Sequence, residues 1–265
     1  MIKMIAMDFD WTLVDHSVKK NKVGKELIDE LNSFIKKGNY AGIVSGRVYW
    51  NFQTELESFG IEWANPFPNY IIAREAYIYK IDKDNYIENE EYNPEIKQKI
   101  MALNVELAKH LDEIIALYKR ENIKVNNFMV YGDFGVEIHV AEEDAQKAML
   151  VMEEFVKDKN IKDAAVHRNG IMITIYHKQA GKGNTLLEAA KSFGIKPQEV
   201  LAIGDNYNDI SMIDGKLGFV GACVGNADDN IKEIVRNGGG YVGEGMAYRG
   251  ILDVIRQLKA DGLMD

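Results

Sequence analysis

Residues 2–9 are apolar with little alternation, the pattern of a short strand buried on both faces of a sheet. The run stops abruptly at two aspartates, Asp8 and Asp10, followed by Trp11. From about Gly24 to Lys37 the apolar positions Leu27, Ile28, Leu31, Phe34 and Ile35 recur at helical spacing, and Gly38 ends the pattern. "YAGIVSGR" predicts a second strand stopping at Ser45-Gly46, and a helix over roughly 48–59 follows it. Such a β-α-β-α rhythm implies a parallel sheet with helices on its faces.

The rhythm returns late in the chain. A helix from about Lys182 to Ser192 ends at Gly194, and "EVLAIGDN" predicts a third strand ending in a carboxylate. A helix from about Asn208 leads to the apolar strand "GFVGACVG", and a last helix runs over about 248–260. The middle reads differently: "FMVYGDFGVEIHVA" and "AAVHRNGIMITIYHK" predict antiparallel strands with turns at Gly132-Asp133 and Asn169-Gly170. Helices over about 95–120 and 143–158 accompany them. The expected fold class is α/β, a Rossmann-like parallel-sheet core with helices on both faces, formed by residues 1–82 and 178–265. An α+β domain, residues 83–177, is inserted into it.

Composition narrows the function classes. The net charge of −9 disfavours a generic nucleic-acid or anionic-membrane binder, which would show clustered Lys and Arg. It leaves small anionic substrates open, because a local pocket can be positive inside an acidic protein. No apolar run approaches the roughly 20 residues that span a bilayer, and the first residues lack the basic head and apolar core of a signal peptide. The one cysteine, Cys223, forms no internal disulfide and reads as an inert buried thiol, so a cytoplasmic location is expected.

Three strand ends carry polar groups: Asp8 with Asp10, Ser45, and Asp205 with Asn208 and Asp209. Open parallel sheets bind ligands beyond the carboxyl ends of their strands. Period-two alternation would make Asp8 and Asp10 lean to the same side and converge. Several carboxylates brought together raise one another's pKa, and a hard cation such as Mg²⁺ resolves that cost. Lys182, at the helix start in "AGKGN", adds a fixed positive charge and is favoured over its neighbour Lys178. Carboxylates, Mg²⁺ and a lysine together describe a site for a phosphoryl group.

These segments resemble the four motifs of the haloacid dehalogenase-like phosphatases: "DFDWTLVD" the D-x-D-x-T opening, "IVSGR" the second, Lys182 the third and "GDNYND" the fourth. Their order and spacing agree along the whole chain, and the insertion is similar to the large cap of the Cof-type branch, which mostly hydrolyses sugar phosphates and other small phosphomonoesters. The resemblance implies that Asp8 is the nucleophile and Asp10 the general acid and base. It implies Mg²⁺ on the carboxylates of Asp8 and Asp205 and on the backbone carbonyl of Asp10, with Asp209 orienting its neighbours or lying behind the metal. Phosphate oxygens would be held by Ser45, Lys182, Asn208 and the Phe9 amide, in a site that includes Gly46 and Arg47. The partner implied is a small phosphorylated substrate, with the chain a monomer or small homo-oligomer. A phosphomutase and a phospho-ligand binding or signalling module are the alternative readings.

Several positions depart from that family pattern. Glycine is usual at Trp11; a bulky residue resists positive φ, so negative φ is expected there, with the ring either walling the substrate cleft or packing without a substrate role. Asn-Gly is common where this chain has Arg74-Glu75, so a looser turn is expected, with either an exposed ion pair or an Arg74 reaching the cleft. Tyr131, Asp133 and Arg168 are unranked candidates for substrate contacts from the cap. "GGGYVG" at 238–243 and "AGKGNT" imitate nucleotide-binding loops but lack the required context.

Overall fold

Met4–Met7 (β1) and Val200–Gly204 are buried at every position, as expected of neighbouring strands in the middle of a covered parallel sheet. The computed structural model describes residues 1–17, 22–83 and 85–265. In chain order β1 is followed by α1 (Lys25–Lys36), β2 (Tyr40–Val44), α2 (Phe52–Ser58), β3 (Tyr70–Ala73), β4 (Tyr77–Asp82) and β5 (Asn85–Glu88). Next come α3 (Tyr92–Ala108), α4 (Leu111–Arg120), β6 (Val125–Tyr131), β7 (Gly135–Val140), α5 (Ala145–Asp158), β8 (Ala164–Asn169) and β9 (Met172–His177). The chain closes with α6 (Lys182–Ser192), β10 (Val200–Gly204), α7 (Ile210–Ile213), β11 (Val220–Cys223), α8 (Asp229–Asn237), β12 (Tyr241–Val242) and α9 (Tyr248–Ala260).

The chain forms two units, Met1–Tyr92 with Lys182–Asp265, and Asn93–Gly181. In the first, one sheet has the order β12-β11-β10-β1-β2-β3-β4-β5. It is parallel from β12 to β3, and β4 and β5 extend it antiparallel. This hairpin corrects the boundary expected at residue 82: β5 still belongs to the core sheet, and the chain leaves it only afterwards. The second boundary likewise moves from residue 177 to Gly181, immediately before α6 begins. The second unit is a β6-β7-β9-β8 antiparallel sheet whose buried face, with Val136, Ile138, Ile173 and Ile175, packs on apolar residues of α3, α4 and α5.

Local sequence explains most elements. Leu27, Leu31 and Phe34 form the buried stripe of α1, and α8 begins at an Asp228 side chain that accepts from the Asn230 amide. The helix expected over 95–120 is two helices, because i→i+3 bonds from Lys109 and His110 close α3 before α4 starts. The helix expected from about Asn208 is shorter than the pattern implied: a single 3₁₀ turn, Tyr207–Asp209, runs into the four residues of α7. Among the described residues no helix is long and apolar enough to cross a membrane. Cys223 is buried on β11, and burial pushes its thiol up to about 11.

β2 and β3 approach each other unusually closely at Gly42. A Cβ there would lie 2.2 Å from the Tyr70 carbonyl oxygen and 2.6 Å from its ring. The same ring is fully buried, and its hydroxyl donates to the Ile5 carbonyl at 2.9 Å. Tyr70 therefore reaches over Gly42 and ties β3 to β1. Gly42→Ala is expected to destabilise the chain by about 1–3 kcal/mol, the usual cost of overpacking. Urea denaturation checks this; an unchanged midpoint would contradict the packing argument.

Candidate active site

The parallel register brings Met7 opposite Ile203 on one side and Ile43 on the other, so Asp8, Asp205 and Ser45 leave three adjacent strands at one edge of the sheet. This edge is where the chain, having run from β1 to β2, later returns to β10 on the opposite side of β1. Ligand sites of open α/β sheets form at such reversals.

Lys182, the first residue of α6, lies between two carboxylates. Its Nζ donates to Asp8 Oδ1 and to Asp209 Oδ1, both at 2.6 Å, and its side chain is 1% exposed. Burial opposes its charge, but Asp209, Asp8 and Glu75 outweigh that and raise its pKa. Asp209 is held from behind: Oδ2 accepts from the Asp205 and Asn206 amides at 2.9 and 3.0 Å. Only glycine permits this at position 204, since a Cβ there would come within 2.4–2.6 Å of the Asp209 side chain. Thr12 Oγ1 donates to Asp205 Oδ1 at 2.6 Å.

Carboxylate oxygens of Asp8, Asp205 and Asp209 lie within 4.8 Å of one another. Burial, first of all, raises the Asp8 carboxyl well above its ordinary value, with Asp209 and Asp205 adding to it against Lys182. Burial and then Asp209 push Asp205 up to about 7. One ammonium does not balance three acids. The donor set, all hard oxygens, suits a divalent cation; Asp209 has both oxygens engaged, which leaves Asp8 and Asp205 as the better placed ligands.

Asp10 behaves differently. Its carboxylate is not in that group; the Arg47 guanidinium grips it through Nε at 2.9 Å and Nη2 at 2.7 Å, and His16 Nε2 lies 2.6 Å from Oδ1. Burial alone would raise its pKa, yet Arg47 and His16 prevail and lower it. Asp8 and Asp10 thus have different hydrogen-bond partners: β1 ends at Met7, and strand alternation does not continue through the following turn. Arg47 also pairs with Glu55 at 3.2 Å and lies 5.1 Å over the Phe9 ring, which is itself buried against Phe52 and Phe59.

Trp11 corrects a further expectation: its φ is +64°. The turn is over-determined, with Trp11 N donating to Val14 O at 2.8 Å, Leu13 and Val14 donating to Phe9 O, and Asn226 Nδ2 donating to Trp11 O at 2.8 Å. Held in this way, the residue keeps a conformation that glycine adopts freely. The ring is 40% exposed and meets His16 edge-on.

Ser45 and Asn208 are buried, and Gly46 is exposed beside them. Ser45 Oγ accepts from the Arg47 amide at 3.2 Å. Asn208 Nδ2 donates to Glu75 Oε1 at 2.9 Å. Glu75 is the residue that sequence reasoning missed. It is 3% exposed, not half of an exposed pair, and the turn it shares with Arg74 is tight: Ala76 N donates to Ala73 O at 3.1 Å. The signal was the departure from Asn-Gly, but nothing in it said which of the two residues would turn inward. The cap candidates all lie in the second unit, Tyr131 at the end of β6, Asp133 in the turn after it and Arg168 on β8.

The family model of the haloacid dehalogenase-like hydrolases matches residues 5–149 and, in a second overlapping stretch, 121–244. The chain belongs to that family, in its Cof-type branch. It is 24% identical over 259 residues to phosphoglycolate phosphatase 1 of Saccharolobus solfataricus, covering 97% of this chain and 96% of that protein. It is 24% identical over 237 residues to the 5-amino-6-(5-phospho-D-ribitylamino)uracil phosphatase YcsE of Bacillus subtilis, covering 88% and 87%. Its fold is similar to that of the sucrose-phosphatase from Synechocystis, with a TM-score of 0.69 and 17% identity over 98% of this chain and 99% of that one. The chain is thus a hydrolase whose named relatives are phosphatases.

Lys182 supports the fold as well as the site. Lys182→Met would leave Asp8 and Asp209 buried without their counter-charge and is expected to cost about 3–5 kcal/mol at neutral pH. Chemical denaturation measures this; a loss below about 1 kcal/mol would show that the ion pair is structurally dispensable.

Proposed function

We propose that the chain is a Mg²⁺-dependent phosphomonoester hydrolase that acts on a small phosphorylated metabolite, a sugar phosphate foremost, through an aspartyl phosphate at Asp8. The observation that carries this reading is the buried Asp8–Lys182–Asp209 bridge beside Asp205, three acids around one cation. It is a site short of positive charge, with a buried carboxylate at the end of a strand. The relatives' names support a small phosphorylated substrate: one is a phosphoglycolate phosphatase and another a 5-amino-6-(5-phospho-D-ribitylamino)uracil phosphatase.

Asp8 attacks phosphorus, its oxygen forming the new O–P bond while the bond to the substrate's alkoxide breaks. Asp10 supplies the proton that the alkoxide takes, and later accepts one from the water that hydrolyses the acyl phosphate. The Arg47 fork favours the ionised form of Asp10, so it prepares the residue for the second step; the first requires that grip to loosen. Lys182 holds a phosphoryl oxygen and offsets charge as it builds, while Ser45, Asn208 and the Phe9 amide fix the attack geometry. Bound Mg²⁺, held by Asp8, Asp205 and the Asp10 carbonyl, supplies electrostatic stabilisation of the phosphoryl group.

A phosphate-release screen over sugar phosphates, phosphoglycolate and nucleotides tests the activity. Asp8→Asn is expected to lower kcat by about a thousandfold or more; undiminished turnover would rule out a nucleophilic Asp8.

The metal has its own test. Without a divalent cation the folded chain holds the Asp205 proton at about 7 against an ordinary 3.8, more tightly than the unfolded chain does. This group's contribution to stability is therefore full below about pH 4 and lost as pH rises through about 7. Mg²⁺ competes with that proton, so it should raise Tm more at pH 8 than at pH 5, and Asp205→Asn should remove most of the rise. An equal rise at both pH values, or none, would contradict the assignment.

A further inference from the structure

Arg74 and Glu75 both adopt left-handed backbone, each with φ of +53°. With the Ala76 N to Ala73 O bond across them they form the mirror-image turn that usually carries Asn-Gly. A glutamate in that conformation is strained and glycine would relieve it, so the carboxylate needs a reason to be there. Its surroundings supply one. The Glu75 amide donates to the Ser45 carbonyl at 3.0 Å, and its carbonyl accepts from Thr185 Oγ1 of α6 at 2.7 Å. Backbone bonds thus tie this turn both to the end of β2 and to the helix that begins at Lys182.

The side chain then reaches Asn208, whose Nδ2 donates to Glu75 Oε1 at 2.9 Å. A carboxylate only accepts, so it determines which end of the Asn208 amide faces it. The amide oxygen is turned away and has no hydrogen-bond partner among the described residues. The same carboxylate oxygen would be 3.7 Å from a Cβ at Gly46, so it stands directly beside the Ser45-Gly46 strand end. We propose that Glu75 is a positioning residue: its carboxylate locks the Asn208 amide so that the second N–H of Nδ2 is presented to a phosphoryl oxygen. This rests on the phosphoryl-site reading of Asn208 given above. Its acceptor oxygen does the orienting; its negative charge, which also bears on Lys182, opposes anion binding.

The two effects separate when two neutral variants are compared. Glu75→Gln keeps an acceptor oxygen within reach of Asn208, whereas Glu75→Gly removes it while suiting the turn. Inorganic phosphate, titrated by calorimetry in the presence of Mg²⁺, should bind about tenfold more tightly to Glu75→Gln than to Glu75→Gly, the worth of one oriented hydrogen bond. The gap should vanish when both are combined with Asn208→Ala, which a merely structural role in the turn would not cause. Absence of the gap, its survival without Asn208, or failure of Glu75→Gln to bind phosphate would each overturn the proposal. Turnover is read separately: a gap that behaves as expected in a chain releasing no phosphate from any ester would leave Glu75 in its role and remove the hydrolase reading.

Discussion

One buried ammonium organises this molecule. Lys182 opens α6, and its two 2.6 Å contacts join the helix to the end of β1 through Asp8 and to the turn after β10 through Asp209. Burying a charge costs several kcal/mol unless paired partners and further hydrogen bonds offset it. The surrounding details can be read as that compensation. Gly204 makes room for Asp209, the Asp205 and Asn206 amides occupy its other oxygen, and Thr12 steadies Asp205. The outcome is a carboxylate at Asp8 that is positioned but under-compensated.

The two aspartates of the opening motif are a case of one residue type given opposite environments. Asp8 sits among acids in a buried place and is pushed toward protonation unless cations join it. Asp10 is gripped by Arg47 and His16 and is held ionised. In the proposed reaction this contrast divides the labour: Asp8, which gains from a cation and a phosphoryl group, would form the acyl phosphate, and Asp10, whose charge is secured, would serve its hydrolysis. The division comes from what each side chain touches rather than from their spacing in the chain.

Much of this was legible in sequence. The strand ends at Asp8, Ser45 and Asp205 follow from apolar runs that stop at polar residues, and the α/β core with its α+β insertion follows from their rhythm. What stayed illegible has physical causes. Trp11 and Glu75 occupy backbone conformations that their side chains disfavour, so propensity pointed the wrong way; turn hydrogen bonds together with contacts from distant residues, Asn226 for one and Ser45, Thr185 and Asn208 for the other, hold them there. The different surroundings of Asp8 and Asp10 depend on a strand stopping at Met7, and strand ends are the hardest feature to place from a hydrophobic pattern. β5 was missed because its four residues are half-buried or exposed, with no apolar face to advertise them.

The central claim is that Asp8 becomes covalently phosphorylated during turnover. Borohydride quenching under steady turnover reduces an acyl phosphate to an alcohol, so peptide mapping should find homoserine at position 8 in the presence of substrate and aspartate there without it. Aspartate at position 8 under both conditions, in an enzyme that is turning over, would contradict the account.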